Sequence, residues 1–117
     1  MNISDMPNKQ FAFACIKALI DAGKLDAYTL QLLTDSEACK ERFNCVRSTA
    51  ILKAIPNGCS EHELAVQCND GTNQARYYKT PVSINGQDYI ITNYWYGANT
   101  KMPDNRTPFM HWVQSKL

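Results

Sequence analysis

With 117 residues, of which 44% are hydrophobic and 20% charged, the chain can enclose one modest core but not two. A net charge of +1 excludes a protein that holds nucleic acid by bulk charge alone, and the lack of biased runs or a fixed-period repeat excludes disordered and solenoid classes. The charge is uneven: residues 1–71 carry seven basic and nine acidic side chains, residues 72–117 five and two, so an anionic partner should favour the second half.

Pro7 to Lys24 reads as a helix, because proline is tolerated in a first turn, Ser4 or Asp5 can cap it and Gly23 is placed to end it. Phe11, Cys15, Leu19 and Ala22 fall on one side with Ala12, Ile16 and Ile20 beside them, which predicts a mostly buried helix. Asp26 caps a second, short helix through Leu33, and Thr34 with Glu37 matches a capping box for a third, Ser36 to Phe43. A break at Asn44 precedes a fourth helical run from about Ser48 to Ile55, which Pro56-Asn57-Gly58 stops. Ser60 to Gln67 fits either a capped helix or a strand over Leu64-Ala65-Val66.

Asn85-Gly86 then stands between two β-branched and aromatic runs, the pattern of a two-residue hairpin turn with positive φ at both positions. That turn sets Ile84 opposite Gln87, Val82 opposite Tyr89, Thr80 opposite Ile91, Tyr78 opposite Asn93 and Arg76 opposite Trp95 on a largely apolar side. Ser83 with Asp88, Pro81 with Ile90, Lys79 with Thr92 and Tyr77 with Tyr94 make a mixed side expected to face water or a polar partner. Residues 96–105 read as a loop, and Thr107-Pro108 caps and opens a closing helix whose Phe109, Trp112 and Val113 share one face.

The sum is one α+β domain over residues 1–117: a helical amino-terminal half, an antiparallel β-hairpin or three-stranded sheet, and a carboxy-terminal helix. The expected core is Phe11, Ile16, Leu19, Ile20, Leu30, Leu33, Phe43, Ile51, Leu52, Tyr78, Val82, Tyr89, Ile91, Trp95, Phe109, Trp112 and Val113. The first ten residues lack a signal peptide's basic start and apolar centre, and no apolar run is long enough to span a bilayer. A cytoplasmic protein without a membrane partner is expected, its five cysteines reduced.

Ser36 to Leu52 resembles the two helices and tight turn of helix-turn-helix proteins, with Phe43 as the apolar residue before the turn and Asn44 in the turn. The element order likewise resembles that of winged-helix domains with an added carboxy-terminal helix. The resemblance implies nucleic-acid binding, with Arg47, Ser48 and Thr49 opening a recognition helix. Lys79 would then rest on phosphates from the wing. Tyr77 and Tyr94, paired on the outer face, would stack on the bases of a single strand, DNA or RNA.

A protein-interaction module is the alternative, using Tyr94 and Tyr96 with Lys101 and Arg106 of the following loop. Cys59 and His62 have ligand-like spacing, and Cys68 with Cys45 or Cys39 would complete a zinc set, but the second close pair of a zinc motif is missing, so no metal or other cofactor is expected. The two histidines, His62 and His111, stand in no motif with a nucleophile or a carboxylate pair. A ribonuclease-like toxin site built from His111 and Arg106 is a minor alternative to a non-catalytic binding role.

Overall fold

A computed structural model describes residues 2–117. After a short 3-10 turn at Ile3–Asp5, helix α1 runs over Asn8–Asp21 and buries Phe11, Ala12, Cys15, Ile16 and Leu19. Pro7 itself occupies the cap position and no side chain caps this helix, so neither Ser4 nor Asp5 does so. The preceding turn has already consumed that segment. Gly23, at φ +67°, closes the helix: its N–H donates to the Ile20 carbonyl (3.0 Å) and that of Lys24 to the Leu19 carbonyl (2.9 Å). This left-handed closure is one that glycine adopts without steric cost. Ile20, expected in the core, lies at the edge of the apolar stripe and is 37% exposed.

Helix α2 covers Ala27–Leu33 and is capped as expected by Asp26, whose Oδ1 accepts the Thr29 N–H (2.8 Å). That bond holds the Asp26 carboxyl below its ordinary pKa. Helix α3, Ser36–Phe43, is capped by Asp35 rather than Thr34. The carboxylate accepts two N–H groups, from Glu37 and Ala38 (3.0 and 3.2 Å), while the Thr34 hydroxyl turns back to donate to the Leu30 carbonyl (2.7 Å) at the end of α2. Asn44 ends α3 in the left-handed conformation at φ 61°.

The fourth helical run is absent. Arg47 and Ser48 both take positive φ (58° and 55°), the chain reverses, and Leu52–Ile55 forms strand β1. Its register, Leu52 opposite Ile91 through Ile55 opposite Asp88, covers what would otherwise be a free edge of the hairpin. Ile51 and Leu52 are both fully buried, and satisfying the backbone of such a segment on a sheet edge outweighs its modest helix preference. The second helix of a helix-turn-helix pair is therefore not formed here. Helix α4, Glu61–Asn69, resolves the ambiguity that follows in favour of a helix, with Ser60 Oγ accepting the Glu63 N–H (3.1 Å).

The hairpin forms where expected: Val82–Ile84 is β2, Gln87–Ile91 is β3, and Asn85 and Gly86 have φ of 52° and 82°. Val82 faces Tyr89 and Ile84 faces Gln87, and the antiparallel sheet has the order β1-β3-β2. Beyond Pro81 the register does not continue. Proline has no N–H for the ladder, residues 79–81 leave the sheet, and the chain rejoins two residues out of step, with Tyr77 bridging Thr92 rather than facing Tyr94. The second side of the hairpin is wet only in part: Lys79, Pro81 and Ser83 are exposed, and the rest is covered or half-covered. Tyr77 and Ile90 are buried with Ile55 and Cys68 in a second apolar cluster against α4, and Thr92 is buried as well.

Helix α5, Arg106–Lys116, starts one residue before the expected cap. Asp104 Oδ1 accepts the Thr107 N–H (2.9 Å), and Pro108 stands in the first turn. Its Phe109 completes a row of rings with Trp95 (centroids 5.3 Å apart), Phe43 (5.3 Å) and Trp112 (5.9 Å), while Trp95 meets Phe11 of α1 edge-on at 5.4 Å. Leu30, Tyr78, Val82 and Trp112 flank this main core, half-buried, instead of lying within it. No helix among the described residues is long and apolar enough to cross a membrane.

Because Phe109 joins α3, α5 and the segment after β3, its truncation has no single neighbour that can collapse into the space. Phe109→Ala is expected to lower stability by ~3–5 kcal/mol, read as a fall of the urea midpoint at unchanged slope.

Candidate functional site

The segment leaving β3 alternates in the manner of an extended chain. Trp95 turns inward, donating its indole N–H to the Thr92 carbonyl (2.7 Å), and Tyr94 and Tyr96 are left half-exposed on the other side. Their positions are fixed by Asn105, whose side chain is fully buried. Its Oδ1 accepts the Tyr96 N–H (2.8 Å) and its Nδ2 donates to the Tyr94 carbonyl (2.8 Å).

Two guanidinium groups converge on Tyr94. Arg47 Cζ lies 5.8 Å and Arg76 Cζ 5.9 Å from the ring centroid, both within cation–π range. Arg76 reaches there from the segment after α4, where its backbone N–H donates to the Cys68 carbonyl (2.8 Å) and its Nη1 donates to the Arg47 carbonyl (2.7 Å). The second bond steadies the left-handed turn at 47–48, a conformation that costs about 1–2 kcal/mol per non-glycine residue. Thr49 supports the same turn, its hydroxyl and its N–H both donating to the Val46 carbonyl (2.8 and 3.2 Å).

Arg47, Arg76, Tyr94 and Tyr96, with Asn73 and Gln74 opposite, wall an open cleft of about 360 Å³. On its far side Arg47 also borders a second cleft of about 410 Å³, which holds Lys40, Asn44, Cys45 and Ser48. Among the described residues no carboxylate lines either cleft, and neither arginine is in salt-bridge contact with one. Lys53, by contrast, is neutralised by Asp70 at 2.7 Å. Two guanidinium groups around one aromatic ring, with Lys40 in the adjoining cleft, suit an anion that also presents a flat face.

Of the residues expected to contact nucleic acid, Arg47 and Tyr94 meet in this site and Ser48 borders the second cleft. Thr49 is buried and its hydroxyl is committed to Val46. Tyr77 is 3% exposed, and burial raises its hydroxyl pKa well above the ordinary value, so it offers no stacking face. Lys79 is exposed but lines neither cleft. Of the residues proposed for a protein partner, Tyr94 and Tyr96 line the first cleft and Lys101 is exposed on the loop beyond. Arg106 is occupied: it donates to Asn8 Oδ1 and the Met6 carbonyl, both at 2.8 Å, and its guanidinium covers the Phe11 ring at 4.2 Å. It clamps the amino-terminal turn onto α5.

Nothing in the sequence pattern singles out Arg76, Lys40 or Asn105 as site residues. Extending the hairpin register sets Arg76 against Trp95, and the one signal to the contrary is Pro81, past which a ladder does not continue. Cys59 and His62 gather no third ligand: among the described residues no group of three or more His, Cys, Asp or Glu side chains is placed to hold a metal ion. No protein-family model matches the chain, no curated protein does, and no solved structure does.

Removing the Asn105 amide orphans one buried acceptor and one donor at the base of the tyrosines. Asn105→Ala is expected to cost ~1–3 kcal/mol for each orphaned group, checked by urea denaturation, with faster hydrogen exchange at the Tyr96 amide.

Proposed function

We propose that this protein binds single-stranded nucleic acid, with phosphates on Arg47, Arg76 and Lys40 and a base against Tyr94. One observation carries the reading: two guanidinium groups, without a carboxylate partner among the described residues, flank one half-exposed tyrosine ring in an open cleft. A phosphate relieves the mutual repulsion of the two arginines, which no carboxylate among the described residues does, and a stacked base uses the ring that holds them. Arg47 is the exposed member of the pair and is free to follow a phosphate, whereas Arg76 is tethered through the Arg47 carbonyl.

Arg47 serves two clefts, so a strand following the surface passes from Tyr94 and Tyr96 across Arg47 toward Lys40. Single strands are favoured over duplex because the recognition helix that the winged-helix resemblance implies is replaced at this place by the Arg47–Ser48 turn. That turn offers no rod to fill a major groove. The low net charge is consistent with modest affinity, and three phosphate contacts correspond to a slope of log affinity against log salt of about −2.

Fluorescence anisotropy with labelled oligonucleotides, single-stranded DNA and RNA beside a duplex of the same sequence, tests the proposal. Single strands should bind at low salt, and Arg47→Ala should reduce the slope of log affinity against log salt by roughly 0.7, the value for one lost phosphate contact. Tyr94→Ala should weaken binding by ~1–3 kcal/mol, about 5- to 150-fold. Absence of binding by the unaltered chain at low salt, or equal affinity in both variants, overturns the reading.

A further inference from the structure

The cleft beyond Arg47 differs in kind from the one that holds Tyr94. It is the roomier of the two, about 410 Å³ against 360 Å³, and its lining includes the apolar side chains of Val46 and Pro103 where the first cleft has amides and phenol rings. Val46 is half-buried and the rigid Pro103 ring is exposed. Polar groups stand beside them: Lys40 and Ser48 are exposed, and Arg47 forms the wall shared with the first cleft. Apolar surface in a concavity, with a few convergent polar groups, suits a small flat molecule.

The two sides of this cleft are fixed to each other. Asn44, at the left-handed end of α3, donates from Nδ2 to the Asp104 carbonyl (3.1 Å), which holds the loop carrying Pro103 against the segment carrying Val46. Its Oδ1 is left as an acceptor at the same place. The Thr49 hydroxyl and N–H, both donating to the Val46 carbonyl (2.8 and 3.2 Å), hold the other side. The cleft is therefore built before a ligand arrives, and little ordering cost attends its filling.

We infer that this second cleft seats the base next to the one on Tyr94, so that the ligand unit is a dinucleotide step of a single strand with its linking phosphate at Arg47. The inference rests on the nucleic-acid reading of the Tyr94 cleft. Arg47 is the residue common to both linings, and its guanidinium lies 5.8 Å from the Tyr94 ring centroid. The phosphate is what lies between two successive bases, and Arg47 is the cation that lies between the two clefts. Bases of a single strand are splayed onto separate surfaces: the Tyr94 ring supplies one, and Val46 with Pro103 supplies the other. A second base joined to the first enters its cleft as an intramolecular event, so the dinucleotide gains affinity that two separate nucleotides do not. On the far side of Ser48 a third cleft, of about 390 Å³, adjoins β1. There Lys53 is already paired with Asp70 (2.7 Å), and the carboxylate opposes a further phosphate.

The test uses 5′-phosphorylated probes at low salt: thymidine monophosphate, the thymidine dinucleotide, and that dinucleotide with an abasic sugar at either position. The abasic probes keep the phosphates and lose one base, so they separate a second base seat from added charge. In NMR titrations of the full chain, the complete dinucleotide should bind about 5-fold or more tighter than either abasic form, the lower bound for one seated base. The Val46 methyl signals should shift further with the complete dinucleotide than with the abasic ones. Val46→Ser combined with Pro103→Ser should bring the ratio of complete to abasic affinity toward unity, whereas a purely structural effect lowers both alike. Equal affinity for complete and abasic dinucleotides in the unaltered chain, or an undiminished ratio in the double variant, overturns the second seat and leaves nucleic-acid binding standing. So does binding of longer single strands without binding of the dinucleotide. Absence of binding by every probe and by longer single strands overturns both readings.

Discussion

The inward turn of Trp95 is the constraint on which the rest depends. Its indole N–H finds the Thr92 carbonyl only three residues back, and its rings are clasped between Phe11 of α1 and Phe109 of α5. In an extended segment, burying one side chain turns its neighbours outward, so the same packing that closes the core commits Tyr94 and Tyr96 to the surface. The two tyrosines would still swing freely on a loop, but Asn105 binds the backbone on each side of Trp95 and removes that freedom. Core and cleft are opposite sides of one short piece of chain.

Local chemistry was legible wherever a residue acts on its immediate neighbours. Asn85-Gly86 specifies a turn with two positive φ angles, and the register follows from it as far as the backbone can pair. Asp26 and Ser60 cap their helices because a short acceptor placed before a run of N–H groups has little else to do. A local pattern does not decide the structure where a distant segment changes what that pattern can gain. Residues 48–55 have adequate helix formers, yet the open edge of β3 offers Leu52 to Ile55 a full ladder together with burial. No nearby residue announces that edge. At Thr34-Asp35 two adjacent acceptors compete, and the charged one, which reaches two N–H groups, takes the cap.

The candidate site was half legible for the same reason. Arg47 and Tyr94 stand out by residue type, but Arg76 joins them through the slip beyond Pro81, which exchanges the partner of Tyr77 and buries that tyrosine. Had the ladder continued, Tyr77 would have faced Tyr94 across the strands, and Arg76 would have lain on the Trp95 side. A missing N–H at one proline therefore separates a paired-tyrosine surface from a cleft with two arginines around one ring. Asn105 gave no signal at all, since a buried amide looks like any loop asparagine until its partners are known.

The left-handed pair Arg47-Ser48 links these features physically. Neither residue prefers positive φ, and no glycine relieves the turn, so it persists because its surroundings hold it: Thr49 ties down the Val46 carbonyl and Arg76 ties down that of Arg47. Shortly before the turn, the Cys45 N–H closes the end of α3 on the Cys39 carbonyl (3.4 Å), so the chain enters the turn from a fixed point. Val46, whose carbonyl is the acceptor for Thr49, is the next residue. Movement of that carbonyl weakens the support of the left-handed turn, so the position of the Arg47 guanidinium over the ring follows from how tightly the end of α3 is closed.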